Sequence, residues 1–129
     1  TVMPGLAAND FGDSIRFGAS TAAEDEKDLS RVTMSLELFE TYTEGFLSAC
    51  GARLTQAEID TLPMGAKLMT LECGSRFLAD YLNGDIYFHV SREGHNLDRA
   101  RTQMKLVADM EDKWDRMNAI VQEAAQKVR

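Results

Sequence analysis

Between Arg76 and Gln103 the chain concentrates side chains that hold polar ligands: guanidinium forks at Arg76, Arg92, Arg99 and Arg101, carboxylates at Asp80 and Asp85, phenols at Tyr81 and Tyr87, and imidazoles at His89 and His95. Planar arginines suit oxyanions, and tyrosine or aspartate suits hydroxyls, so the mixture fits a carbohydrate or phosphate site. Charge inverts locally as well: Arg92 to Lys105 holds four basic and two acidic residues within a chain of net charge −7. The alternative is a polar connector with salt bridges on an exposed helix face. A second pair, Asp10 and Asp13, lies three residues apart and shares a helix face usable for a metal or for acid–base work. Its plainer reading is two carboxylates near a helix N-terminus.

Other chemistries lack their residues. His89 and His95 are six apart with no acidic or thiol partner at ligand spacing. Cys50 and Cys73 have no CxxC or Cys/His spacing around them and read as small core residues in a reducing compartment. No GxSxG elbow, P-loop or GxGxxG occurs. The 129 residues carry 14 Lys and Arg against 21 Asp and Glu, which disfavours nucleic acid as a partner. No stretch approaches the roughly 20 apolar residues of a membrane span, and no basic start leads into an apolar run. The expected location is the cytoplasm. The opening Thr1-Val2-Met3-Pro4-Gly5-Leu6 reads as the middle of a domain, so a fragment is expected, with a trimmed start as the alternative.

The elements that must position these groups read as helices. Phe11 and Ile15 predict a short helix over 9–17, weakened by Gly12. Thr21 and Glu24 have capping-box spacing ahead of an acidic turn or short exposed helix. Ser35 caps a helix to about Cys50, with Leu36, Phe39, Thr43, Phe46, Leu47 and Cys50 on one face and Gly51 as its stop. Thr55-Gln56-Ala57-Glu58 is a second capping box, and Pro63 falls in the first turn of a longer helix with Met69, Cys73, Phe77 and Tyr81 along one face. Residues 84–91 read as an extended connector. Asn96 caps a last helix of about thirty residues, roughly 45 Å long, whose apolar stripe is interrupted by Glu111 and Asn118. The expectation is an all-α domain spanning 1–129, with four or five helices and a long C-terminal one.

The runs Thr1 to Gly5, Asn9-Asp10-Phe11-Gly12-Asp13-Ser14-Ile15-Arg16, Arg76-Phe77-Leu78-Ala79-Asp80-Tyr81-Leu82 and Gly84-Asp85-Ile86-Tyr87-Phe88 resemble the C-terminal part of N-acetylhexosamine 1-kinase-like proteins. These belong to the superfamily of aminoglycoside phosphotransferases and choline kinases. The resemblance implies a two-lobed, protein-kinase-like parent that binds ATP and Mg²⁺ and transfers the γ-phosphoryl group to a sugar hydroxyl. It implies that an aspartate just before the Thr1 run holds the metal, and that the nucleotide lobe and catalytic loop also lie outside these residues. The chain would then be the helical part that completes the acceptor site, inactive alone, with the N-terminal lobe as its partner. Carried over residue by residue, Arg76 and Tyr87 touch the sugar, and Asp80 and Arg92 are further candidates. Asp13 resembles the helix aspartate that supports the catalytic loop from behind. The wider pattern spaces its two aspartates four apart and these are three apart, so Asp10 competes for the role. The alternative from another class is a stand-alone interaction or dimerisation module, paired through the Trp114 helix or through apolar surface at Val2, Met3 and Leu6. A small acidic regulator binding through Arg92 to Lys105 is a third.

Overall fold

The computed structural model describes residues 6–128. Among them the chain forms six α-helices and no β-strand: α1 (Leu6–Gly18), α2 (Leu36–Cys50), α3 (Gln56–Asp60), α4 (Leu62–Leu82), α5 (His95–Asp112) and α6 (Trp114–Lys127), with short 3₁₀ turns at Leu29–Arg31 and Gly51–Arg53. The fold is all-α. None of these helices is long and apolar enough to cross a membrane.

The caps behave as local chemistry dictates. The Ser35 hydroxyl accepts the Leu38 amide at 3.2 Å and starts α2. Thr55 and Glu58 close both arms of their capping box, at 3.1 and 3.0 Å. Pro63 sits in the first turn of α4, where its missing N–H costs nothing.

Phe11 and Ile15 of α1, Phe39 and Leu47 of α2, and Met117, Ile120 and Val121 of α6 meet in one apolar cluster with Ile59 and Leu62. The Phe11 ring stands edge-on to Phe39 at 5.8 Å. Gly12 does not interrupt α1. It is the crossing point with α4, because a Cβ there would run into the Gly65 carbonyl, and one at Gly65 into the Ala8 carbonyl. The two helices approach backbone to backbone only because both positions lack a side chain.

Thr21 and Glu24 form no capping box. The Thr21 amide donates to the Thr33 carbonyl at 3.0 Å, its hydroxyl reaches Arg31 and Thr33, and Glu24 pairs with Arg16. Residues 19–22 and 32–35 thereby pair antiparallel, with one bridge between Ser20 and Met34.

The stretch expected as one C-terminal helix is helical on both sides of a single turn at Lys113. There the Lys113 ammonium donates to the Asp109 carboxylate and the Met34 carbonyl, both at 2.7 Å, while Asp109 accepts the Met34 amide at 2.6 Å. The turn lets α5 lie on α4 while α6 lies against α2 and α3, two directions one straight helix cannot follow.

Candidate functional site

The connector between α4 and α5 is built around Asp80, a carboxylate only 6% exposed. It accepts the Tyr87 amide at 2.8 Å, the Phe88 amide at 3.0 Å and the Asn96 side-chain amide at 2.8 Å. The chain leaves α4 through Gly84 (φ 98°) and Asp85 (φ 61°), and the backbone amide of Asp85 returns to the Asp80 carbonyl at 2.8 Å. Two successive left-handed residues reverse the chain within one turn, and Asp85 accepts from Asn96 at 3.1 Å. Burial alone would raise the Asp80 carboxyl, but the Phe88 and Tyr87 amides and Asn96 outweigh it and hold the group below the usual carboxylate value.

This folding-back brings Tyr87 and Phe88 over α4. The rings lie 4.9 Å apart, and Phe88 packs on Phe77 at 4.7 Å. The Arg76 guanidinium lies 5.9 Å from the Tyr87 ring and 5.7 Å from Phe88. Arg76, Asn83, Tyr87 and Phe88 line an open cavity of about 410 Å³ with Asp80 in its wall. An aromatic face beside a guanidinium edge can take the C–H face of a pyranose and its hydroxyls together.

Of the residues singled out in the sequence, Arg76, Tyr87 and Asp80 therefore share one site. Asp80 enters it as the clasp for the connector: three donors already occupy its oxygens. Arg92 lies elsewhere, with its Nη1 2.9 Å from Asp98 and its Nη2 4.0 Å from Asp25. Beside it His95 Nδ1 accepts the Ser91 amide at 3.1 Å, so Nε2 is the N–H that meets Asp25 at 2.8 Å. That hydrogen bond is the main reason the Asp25 carboxyl lies below its ordinary value. Arg92 and His95 thus fasten the 20–28 loop to the start of α5. Asp10 and Asp13 lie on the exposed face of α1, with Asp13 3.5 Å from Arg16.

Asn96 is not the cap of α5. Gly94, at φ 76°, precedes the helix, and Asn96 is fully buried between Asp80 and Asp85. Arg99, which donates to the His89 carbonyl and to Asn96 Oδ1, both at 2.9 Å, completes the framework. Both residues stood in the polar segment read from the sequence; what marks them as structural is an asparagine with Asp80 and Asp85 within reach, and that contact is long-range.

A more enclosed apolar groove of about 390 Å³ lies between α1 and α2, lined by Phe11, Ile15, Tyr42 and Phe46, away from these polar groups. Among the described residues no three His, Cys, Asp or Glu side chains converge as a metal-ligand set. No protein-family model matches the chain.

Proposed function

We propose that this chain is the acceptor-binding helical part of a cytoplasmic, ATP-dependent sugar phosphotransferase. The observation that supports the reading best is the placement of Arg76 beside Tyr87 and Phe88 around one open cavity, on a connector held by Asp80. Arg76 and Tyr87 are also the two positions that the resemblance assigns to sugar contact. On this reading Arg76 donates to sugar hydroxyls, Tyr87 and Phe88 cover the apolar face, and Asp80 is a positioning residue. Among the described residues no three His, Cys, Asp or Glu side chains converge as a metal-ligand set, and the resemblance assigns ATP and Mg²⁺ to the nucleotide lobe of the parent protein, so no step is routed through them here. Asp13, 3.5 Å from Arg16, and Asp10 are exposed on α1 and are the positions this reading assigns to support of a catalytic loop.

The test is a coupled ADP-release assay on the full polypeptide encoded around this chain, with Mg²⁺, ATP and N-acetylhexosamines. Sugar-dependent turnover that falls about 100-fold in kcat/KM with Arg76→Ala and about tenfold with Tyr87→Ala is expected. A folded full-length protein with no sugar-dependent turnover, or one indifferent to both substitutions, overturns the reading. The 129-residue chain alone is expected to release no ADP above background.

A second reading, a stand-alone helical interaction module, has its own observation. Met64, Leu68, Leu71, Leu78 and Leu82 of α4 are exposed and recur at the steps of a coiled-coil seam, with Ser75 in the remaining position. Trp114 is half-buried and sits under Lys67, so α4 rather than α6 presents the apolar stripe. A concentration-dependent dimer that Leu68→Glu dissolves, with no turnover in the full-length protein, favours this reading.

A further inference from the structure

A second cavity, of about 380 Å³, lies on the other side of Arg76. Four separate parts of the fold supply cations or aromatic walls to it: Arg16 and Phe17 from the end of α1, Arg76 and Phe77 from α4, Phe88 and His89 from the connector, and Arg99 from α5. Their charges are not equally matched. Arg16, whose side chain is 9% exposed, is paired with Glu24, which also lines the cavity. Arg99 spends one nitrogen on two neutral oxygens, the His89 carbonyl and Asn96 Oδ1, and its guanidinium lies 5.4 Å from the Phe77 ring. Arg76 lies against the Tyr87 and Phe88 rings. Among the described residues neither Arg76 nor Arg99 has a carboxylate partner. Glu24, the carboxylate that lines the cavity, is paired with Arg16, and the buried carboxylate of Asp80 has its oxygens committed to two backbone amides and Asn96.

Two unmatched guanidiniums against three phenylalanine rings, in a chain of net charge −7, mark a place where an anion is favoured. Phe77 is buried at the base of the cavity while Phe17 and Arg76 are exposed at its edge, and Arg99 uses only Nη1 in its two hydrogen bonds, which leaves its other N–H groups to donate. We propose that this cavity is a phosphate-binding subsite, in which Arg76 and Arg99 hold a phosphate group from opposite sides and Arg16 with Glu24 forms the rear wall. Arg76 belongs to both cavities, so a phosphate held here lies beside whatever occupies the open site. The inference stands on the arginine geometry alone and is independent of the phosphotransfer reading.

The phosphate has two possible sources, a free ion or a small organic phosphate whose carbon skeleton uses the phenylalanine walls. Both are tested on the 129-residue chain by ¹H–¹⁵N NMR titration with inorganic phosphate and with phenyl phosphate, against sodium chloride at matched ionic strength. The expected result is saturable shifts at Phe77, Phe88, His89 and the arginine Nε–H groups with phosphate and not with chloride, and affinity about tenfold lower in both Arg76→Gln and Arg99→Gln. Tighter binding of phenyl phosphate assigns the site to an organic phosphate, and equal binding assigns it to the free ion. Arg99→Gln also removes bonds to the connector, whereas Arg76→Gln removes no ion pair and keeps the test open if the first variant is perturbed. Shifts equal to those with chloride, or phosphate affinity unchanged in Arg76→Gln, overturn the proposal. Because no ATP or sugar enters the titration, its failure and the failure of the kinase assay are separate results.

Discussion

Asp80 and Asp109 perform the same mechanical task, but only Asp109 is neutralised by a cation. Each is a shielded carboxylate on a long helix that captures backbone amides from a non-helical segment: Asp80 holds Tyr87 and Phe88, and Asp109 holds Met34. Asp109 carries its own counter-charge, since Lys113 reaches it at 2.7 Å and also takes the Met34 carbonyl. Burial pushes the Asp109 carboxyl up, but Lys113 and the Met34 amide pull it below its usual value. Asp80 has only neutral donors. The clasp at the α5–α6 turn is therefore electrically closed, as a structural joint needs to be. The clasp under the connector has no cation of its own, and Arg76 and Arg99 nearby have no carboxylate partner among the described residues, which is the feature the phosphate proposal uses.

Breaking the Asp80 clasp is expected to have the largest effect. Asp80→Ala leaves two part-buried amides without their acceptor and Asn96 with Asp85 alone, so amide exchange at Tyr87 and Phe88 accelerates by at least about tenfold and the variant shows the largest loss of Tm in the set. Unchanged exchange at those amides would remove Asp80 from its positioning role. Asp109→Asn comes next, at about 1–2 kcal/mol by urea unfolding, since Met34 keeps an acceptor while Lys113 loses its counter-ion. Lys113→Met should cost about 1 kcal/mol, and the double variant less than the two separately, because both remove one interaction. An additive double variant would mean that Asp109 and Lys113 act independently.

Acid separates folding from ionisation in both clasps. Each carboxyl is depressed in the folded state, so its contribution is complete above the usual aspartate value of about 3.9 and is lost as pH falls below it. The stability gap between the parent chain and either Asp80→Ala or Asp109→Asn is therefore expected to narrow as pH falls below that value, because the variants have already lost the carboxylate. The smallest effect is that of salt. About 1 M sodium chloride should narrow the stability gap between the parent chain and Lys113→Met, and leave the gap to Asp80→Ala nearly unchanged. Equal narrowing of both gaps would erase the distinction between the clasps.

The residues legible in the sequence are those whose partners lie within one helical turn. Ser35 finds Leu38, Thr55 finds Glu58, and Pro63 needs only its own position in α4. Thr21 carries the same kind of local signal and follows Thr33 instead, because a strand-like partner twelve residues away satisfies its amide and hydroxyl together. Asn96 has cap chemistry but is drawn inward by Asp80, and Gly94 supplies the start of α5 by adopting a left-handed backbone. Within the candidate site Arg76 and Tyr87 were legible as ligand-binding types, whereas the part of Arg99 was not, since its orientation depends on His89 and Asn96.

By itself the sequence determined that this is a helical protein, where α2, α3 and α4 begin, and which segment holds groups suited to a polar ligand. Periodicity and caps suffice for that, because their energetics are settled within a few residues. Tertiary structure alone decided that Gly12 and Gly65 are a helix crossing, that the C-terminal stretch turns at Lys113, and that Arg76 faces two cavities. Each of those outcomes depends on a partner remote in the chain, a backbone carbonyl, a Met34 peptide or an Asp80 carboxylate, that no local pattern encodes.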